Sequence, residues 1–192
     1  FSPAPARAAG DEFTLVVTRN LEHIYGLDTA LRALALAREQ EPGLRLEIAG
    51  SGPELQDLQA LATQLGVGER VRFLGRLERQ QIVELYHCAD AMLNPARVDN
   101  MPNSVLEALA CGLPVISTNV GGVPYIVEDG ATALLVQPDQ PQAMAEAMVR
   151  LYRDRELRSR LCEQGPREVA QYDWRHVGDQ WMQLYRAAGV TA

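Results

Sequence analysis

The chain has 192 residues, 18 basic and 25 acidic side chains, a net charge of −7 and a pI near 5.0. That length suits one α/β domain with a real core. An acidic balance without a basic run argues against a nucleic-acid surface or a polybasic membrane patch, and no apolar stretch approaches the length of a membrane span. Every basic residue is Arg, so an anion must be held by Arg, by His or by backbone N–H groups. Cys88, Cys111 and Cys162 lie far apart, which fits reduced thiols in a cytoplasmic protein better than a disulfide framework or a zinc site.

Residues 1–12, rich in Ala and Pro, read as a linker or interdomain edge. Phe13–Thr18 is a short, β-branched apolar run, as expected of a buried strand. After a loop at Arg19–Gly26, Leu27, Leu31, Leu34 and Ala35 recur at helical spacing until Pro42-Gly43. Leu44–Ala49 is the second strand. Gly50-Ser51-Gly52-Pro53 turns into a helix with Pro at its first position, whose apolar face is Leu55, Leu58, Ala62 and Leu65. Val71–Leu74 is the third strand, followed by a loop at Gly75–Glu78 and a helix at Arg79–Cys88 with Ile82, Leu85 and Tyr86 inward. Ala91–Leu93 is the fourth strand.

A polar loop holding Pro95 and Pro102 then enters a helix that is apolar on every side except Glu107. A helix apolar all round is a buried helix, so a lone carboxylate near its start needs a reason. Ser104 and Glu107 fit the S-x-x-E capping box, and the helix start is one reading of that carboxylate. Pro114–Ser117 is the fifth strand, Asn119–Pro124 a Gly-rich loop, Tyr125–Asp129 a short helix and Ala133–Val136 the sixth strand. The remainder is helical: Gln140–Arg153, Glu156–Tyr172 with a break near Gly165-Pro166, and Arg175–Ala188.

Strands alternating with helices indicate a parallel sheet covered on both faces. Six of them fit an α/β, Rossmann-like doubly wound domain, whose ligands sit beyond the carboxyl ends of the strands. Gly50, Gly52, Gly121 and Gly122 all fall on that edge, where glycine lets backbone approach a ligand closely. No G-x-G-x-x-G follows the first strand and no P-loop is present, which disfavours a nicotinamide or flavin cofactor and an ATPase. Arg19 stands at the mouth of the first strand, placed either to meet a phosphate or to pair with Glu22 on the surface. His23 is more simply explained by solvent exposure. The helix start at Ser104 offers N–H groups and positive potential to an anion. Glu107, one turn inside, could accept hydrogen bonds from vicinal hydroxyls such as those of a ribose. Arg19 and Glu107 would then hold a nucleoside diphosphate by its two ends. Cys111 and Met101 read as packing residues; Arg97 and Asn103 either touch a sugar or shape the loop.

With these residues in place, the chain resembles the C-terminal, donor-binding domain of retaining glycosyltransferases of the GT-B fold, specifically glycosyltransferase family 4. The resemblance runs from about Phe13 to Tyr185. Its most specific part, D-N-M-P-N-S-V-L-E-A-L-A-C-G-L-P-V-I-S-T-N-V-G-G-V-P from Asp99 to Pro124, looks like the E-x7-E element followed by a Gly-Gly-x-Pro loop. I-A-G-S-G-P at Ile48–Pro53, V-R-F-L-G at Val71–Gly75 and I-V-E-D-G at Ile126–Gly130 are similar to the family in the same order.

The resemblance implies a hexosyltransferase that moves a sugar from a UDP-, GDP- or ADP-sugar to an acceptor hydroxyl, with no cofactor and no metal. It implies Glu107 on the ribose, Asp99 on hydroxyls of the donor sugar and Arg19 on the diphosphate. Backbone from Asn100 through Met101 and Pro102 to Asn103 and Ser104 would line sugar and phosphate; backbone around Gly52, Arg76 and Leu77 would meet the nucleotide. The family's N-terminal, acceptor-binding domain would be the protein partner, and residues 173–192 the helix that crosses back to it from the nucleotide-sugar domain at 13–172. A cytoplasmic protein is expected, or one held at the inner face of the membrane through that first domain.

Three departures stand out. The first acid is Asp in place of Glu. The first loop lacks the family's Lys, since Tyr25 precedes Gly26 in a loop one residue longer, an R-N-x-E-x-x-Y version. Tyr125 stands where Glu usually follows Gly-Gly-x-Pro. Two alternatives stay open: a non-catalytic sugar-nucleotide-binding module, and a GT-B-like sugar-nucleotide epimerase.

Overall fold

The computed structural model describes residues 1–3 and 12–187. Six strands form one parallel sheet: β1 (Phe13–Thr18), β2 (Leu44–Ala49), β3 (Val71–Gly75), β4 (Ala91–Asn94), β5 (Val115–Thr118) and β6 (Leu134–Val136), in the order β3-β2-β1-β4-β5-β6. The order reverses between β1 and β4, so the switch point, and the ligand crevice of such a sheet, falls there. β1 and β2 run in register from Phe13 opposite Leu44 to Thr18 opposite Ala49, so both end at one edge.

Successive side chains of each strand enter opposite cores. Phe13, Leu15 and Val17 of β1 join Leu93 and Ile116 in one core with α1 (Leu27–Arg38), α2 (Leu55–Gln64) and α5 (Pro141–Arg153). Val16 joins Met92 and Val115 in the other core, with α3 (Arg79–Cys88) and α4 (Asn103–Ala110). Covered on both faces, β4 and β5 are buried at every position, whereas β2 keeps Arg45 and Glu47 partly exposed. α6 (Arg155–Val169) crosses from the first core, through Leu157 and Leu161, to the second, through Val169. α7 (Trp174–Ala187) follows. Ala188 of the expected last helix lies outside the described residues.

Four local expectations are corrected. Pro53 is not at the first helical position; it belongs to the turn before α2, which begins at Leu55. No break occurs near Gly165-Pro166, and α6 runs through Pro166 to Val169, with Ala170–Tyr172 a separate 3-10 turn. At Gly165 a Cβ would stand 3.0 Å from Leu109 Cδ2, so the bare backbone lets α6 press against α4. The short helix after the Gly-rich loop is a 3-10 turn at Val123–Tyr125, earlier than Tyr125–Asp129. Leu55, placed on the inward face of α2, is exposed.

Candidate functional site

Arg19 leaves the end of β1 beside the switch point, and three groups hold its guanidinium. Asn94, the last residue of β4, accepts from Nε at 3.2 Å and from Nη2 at 3.1 Å through its Oδ1. Asp99, in the β4–α4 loop, forms a salt bridge to Nη2. The ring of Tyr25 lies under the guanidinium at 5.2 Å, within cation–π range. Arg19 therefore does not pair with Glu22, which accepts from Asn20 at 3.3 Å. The pair is mostly enclosed, with side-chain exposures of 13% for Arg19 and 9% for Asp99.

Asn94 has no exposed surface, and its amide is fixed from both ends. While Oδ1 accepts from Arg19, Nδ2 donates to Ser117 Oγ at 3.0 Å, and Ser117 Oγ donates to the Thr118 carbonyl at 3.1 Å. Thr118 Oγ1 in turn donates to the Ala96 carbonyl at 2.6 Å. This buried network ties the ends of β4 and β5 to Arg19. Sequence reasoning assigned no task to Asn94; the available signal was a polar residue closing the apolar strand Ala91–Leu93.

An open cleft of about 410 Å³ extends from Arg19 along the edge, lined by Thr18, Gly50, Arg76, Leu77, Ile82 and Glu107 among others. Arg19 and Glu107 thus face one cleft, as expected. Arg76 and Leu77, from the β3–α3 loop, form its far wall. Glu107 is half-buried, and burial pushes its carboxyl above the ordinary glutamate value of 4.5, with the charges of Arg79 and Arg19 pulling it back. The capping box does not form. The N-cap of α4 is Pro102, without a side-chain cap bond, and Ser104 Oγ is buried with no hydrogen-bond partner. Val105 and Leu106 donate to the Pro102 carbonyl, so the N–H groups of Asn103 and Ser104 stand ahead of the helical ladder. Tyr86 links this region from below: its hydroxyl shares a hydrogen bond of 2.6 Å with Thr18 Oγ1, and burial pushes its pKa far up.

The glycines have a task beyond the one expected. A Cβ on Gly52 would lie 2.4 Å from the Leu21 carbonyl, and one on Gly50 1.8 Å from that of Arg19. Gly50 still lines the cleft, whereas the bare face of Gly52 meets the Leu21 backbone, seating the β1–α1 loop on the β2–α2 turn. Gly121 and Gly122 do the same for the backbone of Asp99 and Asn100, at 1.8 and 1.5 Å. What these positions need bare is loop against loop. Asn100 and Met101 face a neighbouring groove of about 310 Å³ with Gly121, Gly122, Tyr125 and Tyr172. Tyr125 is almost fully exposed there, His23 is exposed, and Asn103 sits exposed at the start of α4.

Among the described residues no group of three His, Cys, Asp or Glu side chains gathers as a metal site, and no helix is long and apolar enough to cross a membrane.

A parallel six-stranded sheet in this order, with a polar, Arg-and-carboxylate cleft at its switch point, defines a Rossmann-like, doubly wound domain. The family model for "Glycosyl transferases group 1" matches residues 2–168, and the chain belongs to that family. It is 33% identical over 174 residues to a D-inositol 3-phosphate glycosyltransferase of Corynebacterium urealyticum, covering 87% of this chain and 41% of that protein. The chain thus spans less than half the length of that curated relative. Among solved structures it is similar to sucrose-phosphate synthase from Thermosynechococcus elongatus, with a TM-score of 0.86, 27% identity, and coverage of 95% of this chain and 47% of that one. Anabaena HepE in complex with UDP-glucose shares the fold at a TM-score of 0.85 and 22% identity, covering 92% of this chain and 49% of that one.

Proposed function

We propose that this domain binds the nucleoside diphosphate part of a sugar nucleotide, and that the longer protein transfers the sugar to an acceptor hydroxyl with retained anomeric configuration. One observation carries the reading: Arg19 and Glu107 face the same cleft at the switch point of the sheet. HepE, a member of the same fold, holds UDP-glucose, which supports a donor of that class. Glu107 accepts from the ribose hydroxyls, the backbone around Arg76 and Leu77 meets the base, and Arg19 meets the diphosphate. As the glycosidic bond breaks, positive charge grows on the sugar and negative charge on the leaving phosphate. Arg19 and the N–H groups at the start of α4 stabilise that phosphate in place, without reorganisation. Asp99 receives hydroxyls of the donor sugar.

The partner in this reading is an N-terminal, acceptor-binding domain, and α7 is the helix that meets it. None of the described residues of α7 is buried, and Trp174, Trp181, Leu184 and Tyr185 are exposed along it. An apolar stripe of that kind is a surface awaiting a partner.

The test is a thermal-shift and calorimetry panel of UDP, GDP, ADP and their sugars, because a ligand that binds only the folded state raises the melting temperature. One base class should raise it and the others should not. Binding of none of them would refute the reading.

A further inference from the structure

Arg97 takes no part in the donor contacts proposed above, and its side chain is engaged by three other segments. Nη1 donates to the His23 carbonyl at 2.6 Å, in the β1–α1 loop. Nη2 donates to the Asp28 carboxylate at 2.9 Å, in the first turn of α1. Nε meets Asp139 at 2.7 Å, in the turn between β6 and α5. The backbone adds to this: Arg97 N–H donates to the Ile24 carbonyl at 2.8 Å. Gly26, in the left-handed region at φ 61°, leaves room for the Pro95 carbonyl, which a Cβ would meet at 2.2 Å. Asp139 is itself held at a φ of 54°, and it accepts from Thr29 Oγ1 at 3.4 Å.

The bonds to the His23 and Ile24 carbonyls join the two loops that carry the diphosphate machinery, while Asp28 and Asp139 anchor the same guanidinium to α1 and to the β6–α5 turn. Arg19 begins the first loop, four residues before His23. Asp99 is two residues beyond Arg97 in the second. The planar guanidinium, with its fixed fork of donors, can reach three acceptors on three segments at once; an ammonium group cannot. An exposed ion pair made only for stability would be worth little. This side chain is only 19% exposed and spans three loops.

We propose that Arg97 is a positioning residue. It locks the β1–α1 loop to the β4–α4 loop and so fixes where Arg19 and Asp99 present themselves to the diphosphate. The inference rests on the nucleotide reading above and adds to it a residue that touches no ligand. Small errors in the placement of charged groups at a site are costly, so the clamp should be visible in affinity.

The experiment compares the unaltered chain with Arg97→Lys, Arg19→Ala and the double variant. Calorimetry uses the nucleoside diphosphate that binds best and its parent nucleoside. Arg97→Lys should weaken the diphosphate about tenfold and the nucleoside by less than about twofold. In the Arg19→Ala background the same change should cost almost nothing more, because Arg97 acts through Arg19. Equal losses for both ligands, or full additivity in the double variant, would reduce Arg97 to a general stabilising residue and overturn the proposal. Amide hydrogen exchange provides the second arm: segments 20–26 and 95–103 should exchange faster in Arg97→Lys while the strands do not change. Unchanged exchange in both segments also overturns it. If the unaltered chain binds no nucleoside diphosphate, the nucleotide reading fails by itself, and the exchange arm still decides whether Arg97 clamps the loops.

Discussion

Glu107→Ala separates a ligand-binding carboxylate from a helix cap, because the two roles predict opposite signs. In the empty domain the half-buried carboxylate is a burden, since burial raises its pKa above 4.5. A carboxyl whose folded pKa exceeds its unfolded value costs stability at all pH above the folded pKa. That cost is relieved as pH falls through the raised value. Removing Glu107 should therefore leave the empty domain as stable as before, or slightly more so, at neutral pH. A cap would behave differently, since losing one costs about 1 kcal/mol; the cap bond is absent here. In the proposed complex the same side chain would accept one or two charge-assisted hydrogen bonds, each worth about 1.5–3 kcal/mol. Affinity should then fall roughly tenfold for one bond and a hundredfold for two. Titration calorimetry with the bound nucleoside diphosphate, beside a thermal melt without ligand, reads both quantities. The pH dependence adds a third: hydroxyls donate to the ionised carboxylate, so affinity should weaken on acidification from a pH above the ordinary glutamate value, and Glu107→Gln should flatten that limb. A lowered melting temperature with unchanged affinity would refute the reasoning and return Glu107 to the helix start.

Arg19→Ala should weaken a nucleoside diphosphate and barely alter the nucleoside; equal losses measured by calorimetry would sink that assignment. Asn94→Ala removes the acceptor beneath Arg19 and leaves Ser117 without its donor, so it should lower unfolding stability in urea by about 1–3 kcal/mol and weaken the diphosphate as well. An unchanged denaturation midpoint would mean that the Asn94–Ser117 network is replaced by water at no cost. Transfer by the longer protein should survive EDTA, since the described residues gather no acidic metal site; activity lost to the chelator and restored by manganese would contradict this.

The sheet was legible because its strands are buried on both faces. Phe13–Thr18 is apolar over most of its length and Leu44–Ala49 is apolar at Leu44, Leu46, Ile48 and Ala49, and the observed strands keep those bounds. Helix starts and breaks were less legible where a proline was read by rule. At Pro166 the helix continues against the local preference, and Gly165 beside it packs on Leu109. The site was half legible. Arg19 at the end of the first strand and Glu107, the lone carboxylate of an apolar helix, were both visible, but the pairings did not follow from spacing. Arg19 meets Asn94 across 75 positions and Asp99 across 80, and only the strand order brings them together. The glycines fall on the expected edge, but the close approach of loop backbone to them was not legible: a sequence shows that a position must be bare, not what approaches it.

The Arg19–Asp99 pair has a consequence for how a donor enters. A guanidinium so enclosed would be costly without a counter-charge, and removing one partner of a buried pair costs far more than the pair is worth. Asp99 supplies that charge while the cleft is empty. In the proposed complex a diphosphate would bring its own negative charge to Arg19, release Asp99, and leave a carboxylate with unfilled acceptor sites beside the sugar. A plain nucleoside diphosphate must displace Asp99 and gives it nothing in return. A sugar nucleotide displaces it and then satisfies it with hydroxyls. The intact donor should therefore bind more tightly than its own nucleoside diphosphate, by about tenfold if one such charge-assisted bond is recovered. Asp99→Asn removes the competitor and weakens the acceptor, so it should tighten the plain diphosphate and shrink the preference for the sugar. Calorimetry on the two ligands with the two proteins closes the cycle. A preference for the sugar nucleotide that is identical in both proteins would show that Asp99 only neutralises Arg19 and never meets the sugar.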